Sequence, residues 1–85
     1  MINIIKKYVS ILTTKDIYEF GRKNNIFLTD NEVSIIYEVI KRDYEMLIYN
    51  DEKVFQCLEN KISSENLNKI KIIFYEYKKK YQNYL

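Results

Sequence analysis

At 85 residues and 10.4 kDa the chain has room for one domain with one small core. Its residues are 47% hydrophobic, 15% aromatic and 31% charged, with a net charge of +2, no proline, a lone glycine, no histidine and one cysteine. Such a composition describes an ordered helical chain. Without histidine it excludes His-based acid–base catalysis, Ser-His and Cys-His nucleophiles and most zinc sites.

Helix starts can be read in chain order. Leu12-Thr13-Thr14-Lys15-Asp16-Ile17, Leu28-Thr29-Asp30-Asn31-Glu32-Val33 and Ile62-Ser63-Ser64-Glu65-Asn66-Leu67 share an apolar residue, a hydroxyl, then an acid or amide at the third position and a second apolar residue. The hydroxyl accepts the N3 amide, the N3 side chain reaches back to the cap, and the apolar pair staples the first turn. Tyr49-Asn50-Asp51-Glu52-Lys53-Val54 is a weaker fourth start, with Asp51 and Glu52 suited to the positive end of the helix dipole. Five helices follow, near residues 2–12, 14–24, 30–48, 51–62 and 64–83. Gly21 permits a close approach to the second helix or else ends it. Asn24-Asn25 is the preferred stop, with Ile26-Phe27-Leu28 crossing extended to the next start.

The expected architecture is all-α, a compact bundle of four to five short helices around a central helix at about residues 30–48. That helix spaces Val33, Ile36, Tyr37, Ile40, Tyr44, Leu47 and Ile48 on one face, with Ile35, Val39 and Met46 as a further apolar flank. The fifth helix carries Leu67, Ile70, Phe74, Tyr77, Tyr81 and Tyr84 as a seam expected to pack on the third.

Charge is segmented. Residues 1–25 hold five basic against two acidic residues (net +3), 26–60 three against eight (net −5), and 61–85 six against two (net +4). Basic ends are thereby expected to pack on an acidic middle. The longest apolar runs, Met46 to Tyr49 and Ile72 to Tyr75, fall far short of the roughly 20 residues of a membrane span. No signal-peptide pattern is visible at Met1-Ile2-Asn3-Ile4-Ile5-Lys6-Lys7, and a single cysteine agrees with a reducing compartment, so the expected location is the cytoplasm. The wealth of isoleucine, lysine, asparagine and tyrosine fits an AT-rich genome.

On these residues the chain resembles the YqfT-like family of small uncharacterised proteins from low-GC Gram-positive bacteria. The resemblance rests on Leu12-Thr13 with Asp16-Ile17, Phe20-Gly21 with Asn25-Ile26 and Leu28-Thr29, Ile48 with Asn50-Asp51, Ile62-Ser63, and Asn68 to Phe74. It implies a cytoplasmic helical domain and carries over no catalytic residue.

No site chemistry emerges from the remaining residues. Cys57 sits among Val54, Leu58 and Ile62 and reads as a small buried hydrophobe. Asp30, Glu32, Asp51 and Glu52 occupy positions where helix starts favour acids, and no calcium-loop pattern or phosphate-cradling glycine loop accompanies them. The expectation is a non-enzymatic protein-interaction module without cofactor, metal, membrane or small-molecule ligand. Its contacts with an unidentified protein or a second copy run through Tyr77, Tyr81, Tyr84, Ile35, Val39 and Met46. The alternative is an accessory nucleic-acid-binding protein using Lys78, Lys79, Lys80, Lys6 and Lys7 beside the C-terminal tyrosines. A helix-turn-helix reading of the second and third helices is opposed by Asp30 and Glu32 at the would-be recognition end.

Overall fold

The computed structural model describes residues 2–81, with side chains over 4–80, as five α-helices: α1 (Ile2–Ile11), α2 (Thr14–Lys23), α3 (Asp30–Tyr49), α4 (Asp51–Leu58) and α5 (Ser64–Tyr81). The all-α bundle and its central α3 match the expected architecture. The side chain of Tyr81, and all of Tyr84, lie outside the described residues, as does the expected helix end at 83.

Local chemistry sets most boundaries. Thr13 Oγ1 accepts the Asp16 amide at 3.2 Å while the Asp16 carboxylate accepts the Thr13 amide at 2.9 Å, a reciprocal cap on α2. Thr29 and Glu32 repeat it on α3 at 3.1 and 3.0 Å. Ser63 Oγ accepts the Asn66 amide at 3.2 Å and starts α5. Asn50 makes no side-chain cap; Asp51 instead turns its own Oδ1 onto the Glu52 amide at 2.9 Å.

α2 stops where Asn24 and Asn25 stand. Asn25 takes the left-handed conformation (φ 59°), the Asn25 amide reaches the Arg22 carbonyl at 3.2 Å, and the Ile26 amide reaches the Gly21 carbonyl at 2.7 Å. These paired bonds close a Schellman turn with asparagine in the place glycine usually takes. The turn folds the chain back over Gly21, where a Cβ would stand 2.7 Å from the Ile26 carbonyl oxygen and 3.3 Å from Leu28 Cδ1. Helix propensity alone would make Gly21→Ala stabilising by about 1 kcal/mol. The backbone clash reverses the sign, and we expect Gly21→Ala to cost about 1–3 kcal/mol. A urea midpoint equal to or above that of the parent chain would refute the close approach.

Two expectations, the end of α4 and the place of Val39, are corrected, and a bend in α3 is added to them. α4 ends at Leu58 rather than near 62, because Glu59 leaves helical geometry and Asn60 turns left-handed (φ 67°). α3 is bent at Asp43 (φ −118°, ψ 24°), beside which Arg42 pairs with the Asp43 carboxylate at 3.0 Å. Val39, expected on a surface flank, is 5% exposed and lies in the core with Ile17, Val33, Ile36, Val54 and Phe55. It falls on the same arc of α3 as Glu32, Val33 and Ile36, at about 100° per residue, and neighbouring helices cover that whole arc.

α3 contacts α1, α2 and α4 directly, whereas α5 approaches with its backbone at α4. Among the described residues the α5 backbone comes within 8 Å of α4 alone, while its side chains also reach α3, Leu67 sharing the core with Val33, Ile36 and Val39 and Asn66 bonding Glu32. Aromatic edges hold the α4–α5 pair, Phe55 standing 5.3 Å from Phe74 and 6.0 Å from Tyr75 between ring centroids. At the other side of the bundle, Lys41 Nζ donates to the Val9 and Ser10 carbonyls at the end of α1, a cation on the negative end of a helix dipole.

Candidate binding groove

Two local networks hold α5 in place. Its first turn is tied to α3 through Glu32, a carboxylate only 7% exposed. One oxygen accepts the Thr29 amide at 3.0 Å and Asn66 Nδ2 at 3.1 Å; the other accepts the Ser63 amide at 2.8 Å. Burial works to raise the Glu32 pKa, but the bonds from Thr29, Ser63 and Asn66 prevail and hold it below the ordinary carboxyl value. Asn66 Nδ2 also donates to the Phe27 carbonyl at 3.2 Å. Toward its far end, α5 is held by Lys78, whose ammonium meets the Asp51 carboxylate at 3.0 Å.

Side chains of α1, α3 and α5 leave an apolar trough between them. Near the end of α5 a space of about 290 Å³ is bounded by Ile5 and Val9 of α1, Ile40, Tyr44, Leu47 and Ile48 of α3, and Phe74, Tyr77 and Lys78 of α5. A second space of about 430 Å³ lies among Leu12, Ile17, Phe20, Ile26, Leu28, Ile36 and Ile70 and shares Ile40 with the first. Ile40 and Tyr44 of α3 and Ile70 and Phe74 of α5 line these spaces. Burial first, and the neighbouring Glu45 charge second, raise the Tyr44 pKa above its ordinary value, so the phenol is neutral in the wall.

Whatever such a surface met would be held chiefly by burial of apolar area. The ammonium of Lys78, at the edge of the first space, already engages Asp51. Among the described residues no cluster of three Cys, Asp or Glu side chains is arranged to hold a metal ion, and no helix is long and apolar enough to cross a membrane.

Of the expected contact residues, Tyr77 lines the trough and is 51% exposed. Ile35 and Met46 are half-buried against the core and do not border it, and Val39 is inside the core. Lys6, Lys7, Lys79 and Lys80 are exposed; Lys78 is half-buried. Cys57, expected in the core, is half-buried instead, its Sγ 3.8 Å from Arg42 Nη2 and 4.0 Å from Lys61 Nζ. Sequence reasoning missed the walls supplied by α1. The signal was present: Ile2, Ile4, Ile5, Tyr8, Val9, Ile11 and Leu12 are more apolar residues than one helix face can hold. Comparison with protein-family models, with curated proteins and with solved structures finds no match to this chain.

Proposed function

We propose that this chain is a non-enzymatic protein-interaction module of the cytoplasm, akin to the YqfT-like proteins, whose trough receives an apolar segment of another polypeptide. One observation carries the reading: the trough between α5 and α1–α3 is walled mainly by aliphatic and aromatic side chains, with Asp16 and Lys78 as its charged lining residues. An amphipathic helix laid along such a trough is a recurrent mode of protein recognition. Val9, half-buried in its wall, is the residue to change. Affinity capture from native lysate with the parent chain should recover a specific protein, and Val9→Glu, checked for helicity by circular dichroism, should lose it. Equal recovery by both chains would count against the trough.

The nucleic-acid alternative draws on the exposed Lys6, Lys7, Lys79 and Lys80. Lys78 serves the fold through Asp51, a residue buried at the start of α4. We therefore expect Lys78→Ala to lower stability by about 1 kcal/mol, between the values for exposed and for buried pairs. Lys79→Ala, on open surface, should stay within about 0.5 kcal/mol of the parent. Equal midpoints for the two variants would return Lys78 to the solvent-facing set. A salt-dependent shift assay with single-stranded RNA decides the alternative directly, since absence of binding at low salt eliminates it.

A further inference from the structure

The two spaces of the trough are offset along its walls, and the offset measures what can fill both. Along α5 the larger space is lined at Ile70, the smaller at Phe74, Tyr77 and Lys78. Along α3 the larger is lined at Ile36 and Ile40, the smaller from Ile40 to Ile48. On both helices the centres of these stretches lie six to seven residues apart, which is about 10 Å at the helical rise. Numbering rises from the larger space to the smaller on both, so α3 and α5 run the same way along the trough.

A helix matches this offset and a strand does not. Side chains seven residues apart on an α-helix return to one face after about 10.5 Å, whereas a four-residue step covers only about 6 Å and a five-residue step points elsewhere. An extended segment sets same-face side chains about 6.6 or about 13 Å apart, and neither value fits. Helical walls also lack the open backbone edge that an added strand pairs with. The spaces differ in size, about 430 Å³ against about 290 Å³, so the one at Ile70 takes the bulkier side chain.

Charge sets the direction. Each space has one charged lining residue, Asp16 in the larger and Lys78 in the smaller. Asp16 is exposed and gives one oxygen to the Thr13 amide; a carboxylate accepts more than one donor. Lys78 spends one bond on Asp51, and an ammonium has three donors. A helix is positive at its N-terminus and negative at its C-terminus. Its first anchor therefore belongs in the space at Asp16 and its second in the space at Lys78, which lays it in the direction of α3 and α5.

Resting on the docking reading above, we propose that the occupant of the trough is an amphipathic helix with two apolar anchors seven residues apart. An aromatic anchor enters the space at Asp16 and an aliphatic one the space at Lys78, with a base one turn before the first and an acid one turn after the second. Fluorescence anisotropy with stapled helical peptides on an alanine background tests this. The probe carries Lys, Phe, Leu and Glu in that register; one control moves Leu to a five-residue spacing, and another exchanges Lys and Glu. The parent chain should bind the probe, the spacing control roughly tenfold more weakly as one anchor loses its burial, and the exchanged control about threefold more weakly. Equal affinity for the two spacings or for the two charge orders overturns the proposal, as does a chain that takes up a fluorescent fatty acid and leaves the probe unbound. Any of these results, with lysate capture still lost in Val9→Glu, leaves the docking reading standing. A Val9→Glu chain that binds the probe as tightly as the parent places the helix outside the trough and refutes both.

Discussion

Glu32→Ala should lower the stability of the chain by about 3 kcal/mol, since one buried charge serves several donors and hydrogen bonds to charged groups contribute roughly 1.5–3 kcal/mol each net of exchange with water, offset in part by the cost of burying the charge. The carboxylate takes the amides of Thr29 and Ser63 and the side-chain amide of Asn66, so its removal uncaps α3 and α5 together. For a domain of this size the loss corresponds to a melting point lower by about 12–24 °C. Glu32→Gln retains the shape but offers one acceptor oxygen for two separately directed amides, and should fall between. Urea midpoints for the parent and both variants check the order. A loss below about 1 kcal/mol for Glu32→Ala, the value of an ordinary exposed cap, would show that the link to Ser63 contributes nothing.

The same carboxylate fixes the sign of a pH effect. Folding lowers the Glu32 pKa from its ordinary value of 4.5, so the unfolded chain binds the proton more readily than the folded one. The associated stability is present above the unfolded value and is lost as pH falls through the lower folded one. The gap between parent and Glu32→Gln midpoints should therefore narrow as pH is taken from 7 to below 4. A gap that is constant over that range would place the benefit of Glu32 in its shape and not in its charge.

What was legible in the sequence divides along range of interaction. The Thr13/Asp16 and Thr29/Glu32 caps close within three residues, and spacing alone specifies both bonds. The second oxygen of Glu32 was not legible, because its partner Ser63 is 31 residues away and meets it only when α5 starts beside α3. The end of α4 was hidden for a different reason. Val54, Leu58 and Ile62 continue a helical period, and Ile62 is buried as that period demands, yet it reaches the core from beyond the turn at Asn60. Apolar spacing reports which residues go inward and is blind to one left-handed residue between them. The trough depended on α5 bringing its backbone nearest to α4, a choice that ring edges and one ion pair between the two helices favour.

Phe55→Ala tests that choice and should have the largest effect of any single truncation considered, about 3–5 kcal/mol, as for other buried aromatic residues cut to alanine. Phe55 is 4% exposed, meets Phe74 and Tyr75 edge to face, and lies 5.7 Å beneath the Lys71 ammonium. All three of these partners are on α5, and Phe55 is on α4, where it also belongs to the core cluster with Ile17, Val33, Ile36 and Val39, so the truncation weakens the core and loosens the α4–α5 pair most directly. Hydrogen exchange should show this as earlier opening of α5 amides than of α3 amides, a local event preceding global unfolding. Phe74 is at once a partner of Phe55 and a wall of the trough, so the ring that anchors α5 to α4 also sets the trough width. Phe55→Leu, which refills most of the volume without the ring edge, should recover the greater part of the loss. If α5 amides in Phe55→Ala stay protected to the global limit, α5 is held by something other than this aromatic cluster, and its docking on α4 needs a different cause.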